Sequence, residues 1–275
     1  MNNLDEKTVE GFGDEWHRFD QSNLSNADRN AIFEDYFAIF PWHSLPQNAE
    51  GADIGCGSGR WALLVAPRVG QLHCVDPSTA LEVARSNLAA LTNVQFHRAS
   101  VETLPFPDES LDFSYSLGVL HHVPDTAAAI HSVAAKLKPG APFLVYLYYA
   151  FDNRPVWFRM LWNITNALRV VICQLPHTLR FAVSQVIATV IYWPLARAAN
   201  MLAYFNVLPH NWPLAYYRDK DFYVMRTDAL DRFGTRLERR FTRAQIQQML
   251  EAAGFQDISF SHAQPYWCAL AFKGK

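Results

Sequence analysis

A glycine-rich turn at residues 53–59, with the sequence DIGCGSG, constrains this chain more than any other segment. It joins an apolar run to a helix-like run, so its glycines fall where a strand turns into a helix. Glycine adopts backbone angles that other residues resist, and without a Cβ it lets a ligand approach the main chain. Asp53 precedes the glycines, and Asp76 ends the next apolar run. The pattern predicts a nucleoside-binding crevice at the carboxyl ends of parallel strands.

Two common phosphate-binding motifs are absent from the sequence. The dinucleotide fingerprint requires glycine at its first, third and sixth positions. Counting from Gly55, the sixth position is Arg60, and no GxxxxGK[ST] loop occurs anywhere in the chain. An acid at the mouth of the turn would repel a pyrophosphate but would attract a ligand that carries an ammonium group.

Residues 53–59 resemble motif I of the class I, Rossmann-like methyltransferases that use S-adenosyl-L-methionine (SAM). More narrowly, the chain is similar to the type 11 methyltransferase domain over residues 45–150 and 240–275. Three further segments occur in that family with similar spacing: LDF at 111–113, LHH at 120–122 and LKPG at 137–140. The resemblance implies SAM as the cofactor and methyl transfer by in-line displacement as the reaction. It says little about the methyl acceptor.

The resemblance also implies which residues would bind the cofactor. Asp53 would hold the methionine ammonium, and Leu117 would offer a backbone carbonyl to the same group. Gly55 and Gly57 would allow close approach of the ligand. Asp76 would accept hydrogen bonds from the ribose hydroxyls.

Two further assignments leave alternatives open. Ser100 and Val101 would border the adenine, but the family often has Asp where Ser100 stands, and Ser100 could be only a turn residue. His121 follows the fourth predicted strand and is the candidate catalytic base, which is needed only if the acceptor arrives protonated. The alternative is that a histidine of this pair packs against the crossover or caps the helix near Asp125.

Apolar runs alternate with helical runs along the first part of the chain. This alternation predicts a doubly wound α/β sheet with parallel strands and right-handed crossovers. The expected strands lie at 49–54, 71–76, 94–98, 111–116 and 141–147, and the helices between them at 60–68, 79–90 and 125–137. A helix and two more strands follow residue 240, which in the family complete a seven-stranded sheet, mostly parallel, with the last strand antiparallel.

Three regions are therefore expected. Residues 1–48 form an N-terminal helical lid, in which Trp16 or Phe19 would shield the sulfonium; the alternative is a surface hook that holds the N-terminus down. Residues 49–150 and 240–275 form the SAM-binding domain. Residues 151–239 form an inserted α-helical cap.

The insert has an unusual composition. Residues 153–218 contain no Asp or Glu but six Arg. Three interpretations are open: a cap that only packs on the core, a cap with a pocket for an apolar or anionic acceptor, and a helix pair at 155–207 lying on anionic lipid. The longest uncharged run, 181–196, is 16 residues, or about 24 Å as a helix, which is short of the roughly 30 Å hydrocarbon core.

Composition bears on nucleic-acid binding, metal binding and cellular location. A net charge of −2 gives no general case for nucleic-acid binding. The four cysteines form no C-x-x-C pair, and no metal site is expected. The N-terminal residues are not typical of a signal peptide, so a cytoplasmic setting is expected, with contact at the inner face of a membrane as a variant.

The leading hypothesis is a SAM-dependent methyltransferase of a small or lipid-like acceptor; the alternatives are an inactive SAM-binding sensor or assembly subunit and, less favoured, a nicotinamide-dependent dehydrogenase.

Overall fold

The structure is a computed structural model that describes residues 3–275; Met1 and Asn2, where the expected lid begins, lie outside the described residues. The chain divides into two compact units. Unit 1 comprises the described residues up to 21 together with 30–150 and 237–275, and unit 2 comprises 22–29 and 151–236.

Unit 1 is built on one seven-stranded sheet in the order β3-β2-β1-β4-β5-β7-β6. All strands are parallel except β7, which runs antiparallel to both β5 and β6. This confirms the predicted fold class of a mostly parallel seven-stranded sheet. The strands are β1 (Glu50–Ile54), β2 (Gln71–Val75), β3 (Val94–His97), β4 (Phe113–Leu117), β5 (Pro142–Tyr146), β6 (Phe255–Phe260) and β7 (Cys268–Lys273).

The central strands are covered on both faces, which is why they appear in the sequence as continuous apolar runs. Every residue of β4 and β5 is buried. The helices of unit 1 are α1 (Glu6–Arg18), α2 (Asn26–Phe37), α3 (Ala62–Val65), α4 (Ala80–Asn87), α5 (Thr126–Lys136) and α10 (Arg243–Ala252); the first turn of α2 belongs to unit 2.

Two elements differ from the sequence prediction in their bounds. The helix expected at 60–68 is only one turn of α-helix followed by a 3₁₀ turn, Ala66–Arg68, because Pro67 lacks the N–H that a longer helix needs. The fourth strand begins at Phe113 rather than residue 111, since Leu111 makes only an isolated bridge to Leu137.

Unit 2 is helical. Its helices are α6 (Val156–Ile172), α7 (His177–Ile187), α8 (Trp193–Tyr204) and α9 (Phe222–Gly234). A π-helical turn, Ala188–Tyr192, joins α7 to α8, so residues 177–204 form one continuous helix that includes Pro194. The π turn precedes the proline and accommodates its missing N–H. Both α6 and α7 pack on α9.

The helix His177–Tyr204 is, by length and composition alone, long and apolar enough to cross a membrane. Its 28 residues include an 18-residue window with a mean hydropathy of 1.3, of which 22% is buried. This helix is longer than the uncharged run 181–196 because it also includes Arg180 and Arg197, which lie at either end of that run.

Candidate functional site

The glycine turn begins where β1 and β2 end side by side. The backbone N–H groups of Gly55 and Cys56 both donate to the carbonyl of Val75, at 2.7 and 3.0 Å. Gly57 has a φ of +53°, and a Cβ there would lie 2.9 Å from the indole nitrogen of Trp16. Gly55 has a φ of +79°, and a Cβ there would overlap Val119. Only glycine fits these two positions, because the backbone angles are left-handed and Val119 and Trp16 pack against the main chain of the turn.

Asp76 lies directly beside this turn. Its Oδ2 accepts a hydrogen bond from the Gly57 N–H at 2.9 Å, and its Oδ1 accepts from the N–H and hydroxyl of Ser78 at 2.8 and 2.6 Å. Burial raises the pKa of the Asp76 carboxyl, while the bonds from Ser78 and Gly57 oppose that rise. A carboxylate has about four acceptor positions, so Asp76 can still accept from a ligand diol.

Asp53 occupies the inner end of the site. It is 1% exposed, and its Oδ2 accepts from the Tyr115 hydroxyl at 3.0 Å. Burial raises the pKa of Asp53 to about 8; the bond from Tyr115 lowers it and the charge of Asp76 raises it further. The carboxyl is therefore largely protonated near neutral pH, and a ligand ammonium beside it would favour the carboxylate.

Sequence reasoning did not identify Tyr115 or Ser78. Tyr115 is opposite Asp53 in the parallel register of β4 and β1, a pairing that no local spacing reveals. Ser78 had a detectable signal, because an Asp two residues before a Ser commonly accepts from its backbone in a turn.

Comparison with known proteins identifies this domain. Residues 52–145 match a family model described as a methyltransferase domain. This segment contains the glycine turn, Asp53 and Asp76. Residues 52–145 of this chain therefore form a methyltransferase domain.

Similar proteins agree with this assignment. An uncharacterized methyltransferase, YcgJ of Bacillus subtilis, is 32% identical over 167 residues, which are 60% of this chain and 61% of that protein. A demethylmenaquinone methyltransferase of Staphylococcus epidermidis is 31% identical over 123 residues, 43% of this chain and 50% of that protein. The chain thus spans only half to three-fifths of the length of these relatives.

The fold is also that of a solved SAM-dependent methyltransferase. The apo structure of SibL, 16% identical in sequence, superposes with a TM-score of 0.53 over 90% of this chain and 55% of that one. The glycine turn, Asp53 and Asp76 fit SAM. The turn has no Cβ atoms at Gly55 and Gly57, and the two buried carboxyls beside it can accept hydrogen bonds from the ligand.

The structure places the other expected cofactor residues of the methyltransferase domain around the same sheet edge. Leu117 is the last residue of β4, at its carboxyl end. Ser100 lies in a turn after β3, where its hydroxyl and N–H each lie 3.2 Å from the Thr103 hydroxyl, as in a turn residue. Val101 is 7% exposed and packs in the main core. The adenine contacts of Ser100 and Val101 and the carbonyl role of Leu117 stay predictions.

His121 is deeply buried in the methyltransferase domain. It lies on the 3₁₀ turn Leu120–His122 and is 0% exposed. Its ring lies 3.8 Å from that of Tyr148, whose N–H points to Nδ1 at 3.4 Å. Burial lowers the pKa of His121 well below its usual value, and the neighbouring His122 and Arg240 lower it further. A catalytic role for His121 stays a prediction, and its burial away from solvent weighs against it.

An aromatic cluster lies at the carboxyl end of β5. The ring of Tyr36 is 5.2 Å from those of both Trp61 and Tyr146, and Tyr146 is 6.0 Å from Tyr148. The cluster provides apolar and weakly electronegative ring surfaces, which suit both an apolar ligand and a sulfonium.

Trp16 brings α1 to the glycine turn. Its indole lies against Gly57, and the guanidinium of Arg60 lies 5.5 Å from its ring centre. Helix α1 contacts α4, where Gly13 approaches Thr79. The N-terminal segment therefore lies over part of the turn, which is the arrangement that a lid requires.

We expect Trp16→Ala to weaken SAM binding three- to tenfold, because the variant exposes the turn and its ligand to water. Trp16→Phe, which keeps a ring beside Gly57, is the matched control and should bind within about twofold of the wild type. Isothermal titration of the three proteins with SAM measures the effect. Equal affinity in Trp16→Ala would show that α1 only anchors the N-terminus.

Proposed function

We propose that this protein is a SAM-dependent methyltransferase that transfers a methyl group to a small or lipid-like apolar acceptor. One observation carries the proposal: the Asp76 carboxylate is bonded to the Gly57 N–H of a Cβ-free turn, inside the segment that matches the methyltransferase domain. Such a turn with a carboxylate beside it suits a nucleoside with a free ribose diol.

Asp76 and Asp53 would bind different parts of SAM, the methyl donor. SAM, when bound, supplies an electrophilic methyl group on its sulfonium. Asp76 would accept from the ribose hydroxyls, and Asp53 would hold the ammonium as its own proton leaves. Fixing donor and acceptor in line, with reacting atoms about 3–3.5 Å apart, can supply much of the rate acceleration.

Two observations support an apolar acceptor. The aromatic cluster of Tyr36, Trp61, Tyr146 and Tyr148 lies at the same end of the sheet as the glycine turn. Ligand sites of this kind are lined mainly by apolar and aromatic groups. One relative is named as a demethylmenaquinone methyltransferase, and it is 31% identical to this chain over 123 residues.

Ligand titration tests the proposal at its first step. We expect SAM and S-adenosylhomocysteine to bind in isothermal titration, and NAD to give no heat, because the turn lacks the third glycine of a dinucleotide site. Methyl transfer is then measured as formation of S-adenosylhomocysteine with a panel of quinols and phenols. Binding of NAD in preference to SAM would contradict the proposal.

A further inference from the structure

The exposed apolar side chains of this protein are confined to one segment. In residues 3–275, every large apolar side chain that is strongly exposed lies between Val156 and Val207. Scattered exposed apolar residues are normal on soluble proteins, but a concentrated set marks an interaction surface. The main members, here called the apolar surface, are Val156, Trp157, Met160, Ile164, Leu168, Val171, Val186, Val190, Trp193, Met201 and Tyr204.

Around Arg169, helix α6 reverses the polarity expected of a helix on the surface of a soluble protein. Arg169 is 7% exposed and donates to the backbone carbonyls of Thr235 at 2.8 Å and Arg236 at 3.3 Å. Met160 and Ile164, by contrast, are 60% and 63% exposed. An amphipathic helix in water directs its apolar stripe inward, so this arrangement indicates a less polar medium outside.

The long helix 177–204 repeats this arrangement. Its fully buried residues are small: Ser184, Ala188, Ala196 and Ala199 are all 0% exposed. Its arginines are also used internally. Arg180 donates to the Gly234 carbonyl at 2.8 Å, and Arg197 to the Lys220 carbonyl at 2.8 Å.

These contacts weaken the electrostatic argument for an anionic partner. Three of the six arginines that made a contact with anionic lipid plausible from the sequence, Arg169, Arg180 and Arg197, are bonded to carbonyls of unit 2 itself. The apolar surface contains no acid, and it includes Trp157, Trp193 and Tyr204, residue types that favour the boundary between water and hydrocarbon. Its attraction should therefore be hydrophobic rather than ionic.

The inward-facing sides of α6 and α7 pack on polar groups, so these helices are not expected to be surrounded by lipid on all sides. Helix α9, on which α6 and α7 pack, carries Asp228, which accepts from the Tyr217 hydroxyl, and Arg226, which donates to Gln185 of α7. Surrounding the helices with hydrocarbon would bury these charged groups, so contact from one side is favoured.

We propose that the apolar surface docks unit 2 into the acyl-chain region of one leaflet of a lipid bilayer. A second protein chain suits this surface less well, because protein interfaces carry about one hydrogen bond per 100–200 Å², whereas hydrocarbon needs none. The proposal goes beyond methyl transfer and does not depend on it.

Vesicle flotation of the full chain tests this proposal. With vesicles of neutral phosphatidylcholine alone, the protein should float to the same extent at 0.1 and 0.5 M NaCl. The triple variant Met160→Gln, Ile164→Gln, Leu168→Gln should lose at least tenfold in its partition to vesicles. Two controls should float like the wild type: Met160→Leu, Ile164→Leu, Leu168→Met, which keeps the surface apolar, and Arg159→Gln, which removes an exposed charge from the same helix.

A second measurement locates the contact. Brominated acyl chains should quench Trp fluorescence in the wild type, and this quenching should fall by more than half in the variant Trp157→Phe, Trp193→Phe. SAM titration of every variant shows that the methyltransferase domain is folded, and it separates failure of the docking proposal from failure of the proposed function.

Three outcomes would overturn the proposal. Flotation only with anionic vesicles, abolished at 0.5 M NaCl, would show an electrostatic contact. Absence of flotation together with a dimer in light scattering that the triple Gln variant dissociates would assign the surface to a second copy of this chain. Absence of flotation by a monomer would show that the surface binds no bilayer.

Discussion

Asp76→Ala is expected to weaken SAM binding at least tenfold, which corresponds to about 1.4 kcal/mol. Two effects combine in this variant. The ribose hydroxyls lose a buried acceptor, and the Gly57 and Ser78 N–H groups lose the carboxylate that fixes the glycine turn. Hydrogen bonds to charged groups contribute roughly 1.5–3 kcal/mol each, so the loss can exceed a hundredfold.

Asp112→Ala is the matched control for this variant. Asp112 precedes β4 at the amino end of the strand, where it bonds to Lys138 at 2.7 Å and to the Glu50 N–H at 2.9 Å. The control loses comparable polar contacts at the opposite edge of the sheet from the predicted ligand. Its SAM affinity should match the wild type in isothermal titration. An Asp76→Ala protein that is folded and binds SAM normally would place the ribose elsewhere.

The sheet could be predicted because its signals are local. Strands buried on both faces give continuous apolar runs, and the run that ends in Asp76 stops within one residue of β2. The glycine turn was equally predictable from the sequence, since a positive φ at Gly55 and Gly57 restricts the residue type directly. Family resemblance then identified the cofactor, which spacing alone would have left open.

The partners of buried polar groups could not be predicted. Tyr115 meets Asp53 through strand register, and Arg169 meets Thr235 across 66 residues of sequence. Periodicity shows which residues share a helix face, but it does not show which face points to solvent. In α6, Arg169 lies on the inward face and donates to backbone carbonyls, so it is not available to a lipid headgroup.

Asp53→Asn is expected to stabilise the ligand-free protein at pH 7.5 while weakening SAM binding. The pKa of Asp53 is about 8 in the folded protein, against an ordinary value of 3.8. The folded state therefore holds a proton that the unfolded state has released, and the contribution of Asp53 to stability falls as pH rises from about 4 to 8. Asparagine stays neutral and avoids this loss.

The gain should be on the order of 1–4 kcal/mol in the free energy of unfolding at pH 7.5, and close to zero at pH 4. Denaturant unfolding at both pH values measures it. Asp112→Asn, which removes a carboxylate from an ion pair at the other end of the sheet, should be slightly destabilised instead. If Asp53→Asn were no more stable than the wild type at pH 7.5, the buried carboxyl would not be protonated in the folded state.

The same proton gives a second result for Asp53. Holding the SAM ammonium requires the carboxylate, so binding should release a proton, and affinity should rise between pH 6 and 7.5. Above that range the ligand amine, with an ordinary pKa near 8, begins to lose its own proton. Titrations in buffers of different ionisation enthalpy count the released proton. Asp53→Asn should bind at least tenfold more weakly at pH 7.5 and show no proton release, because a neutral amide has no proton to give up. A variant that still released a proton on binding would assign the ammonium to another group.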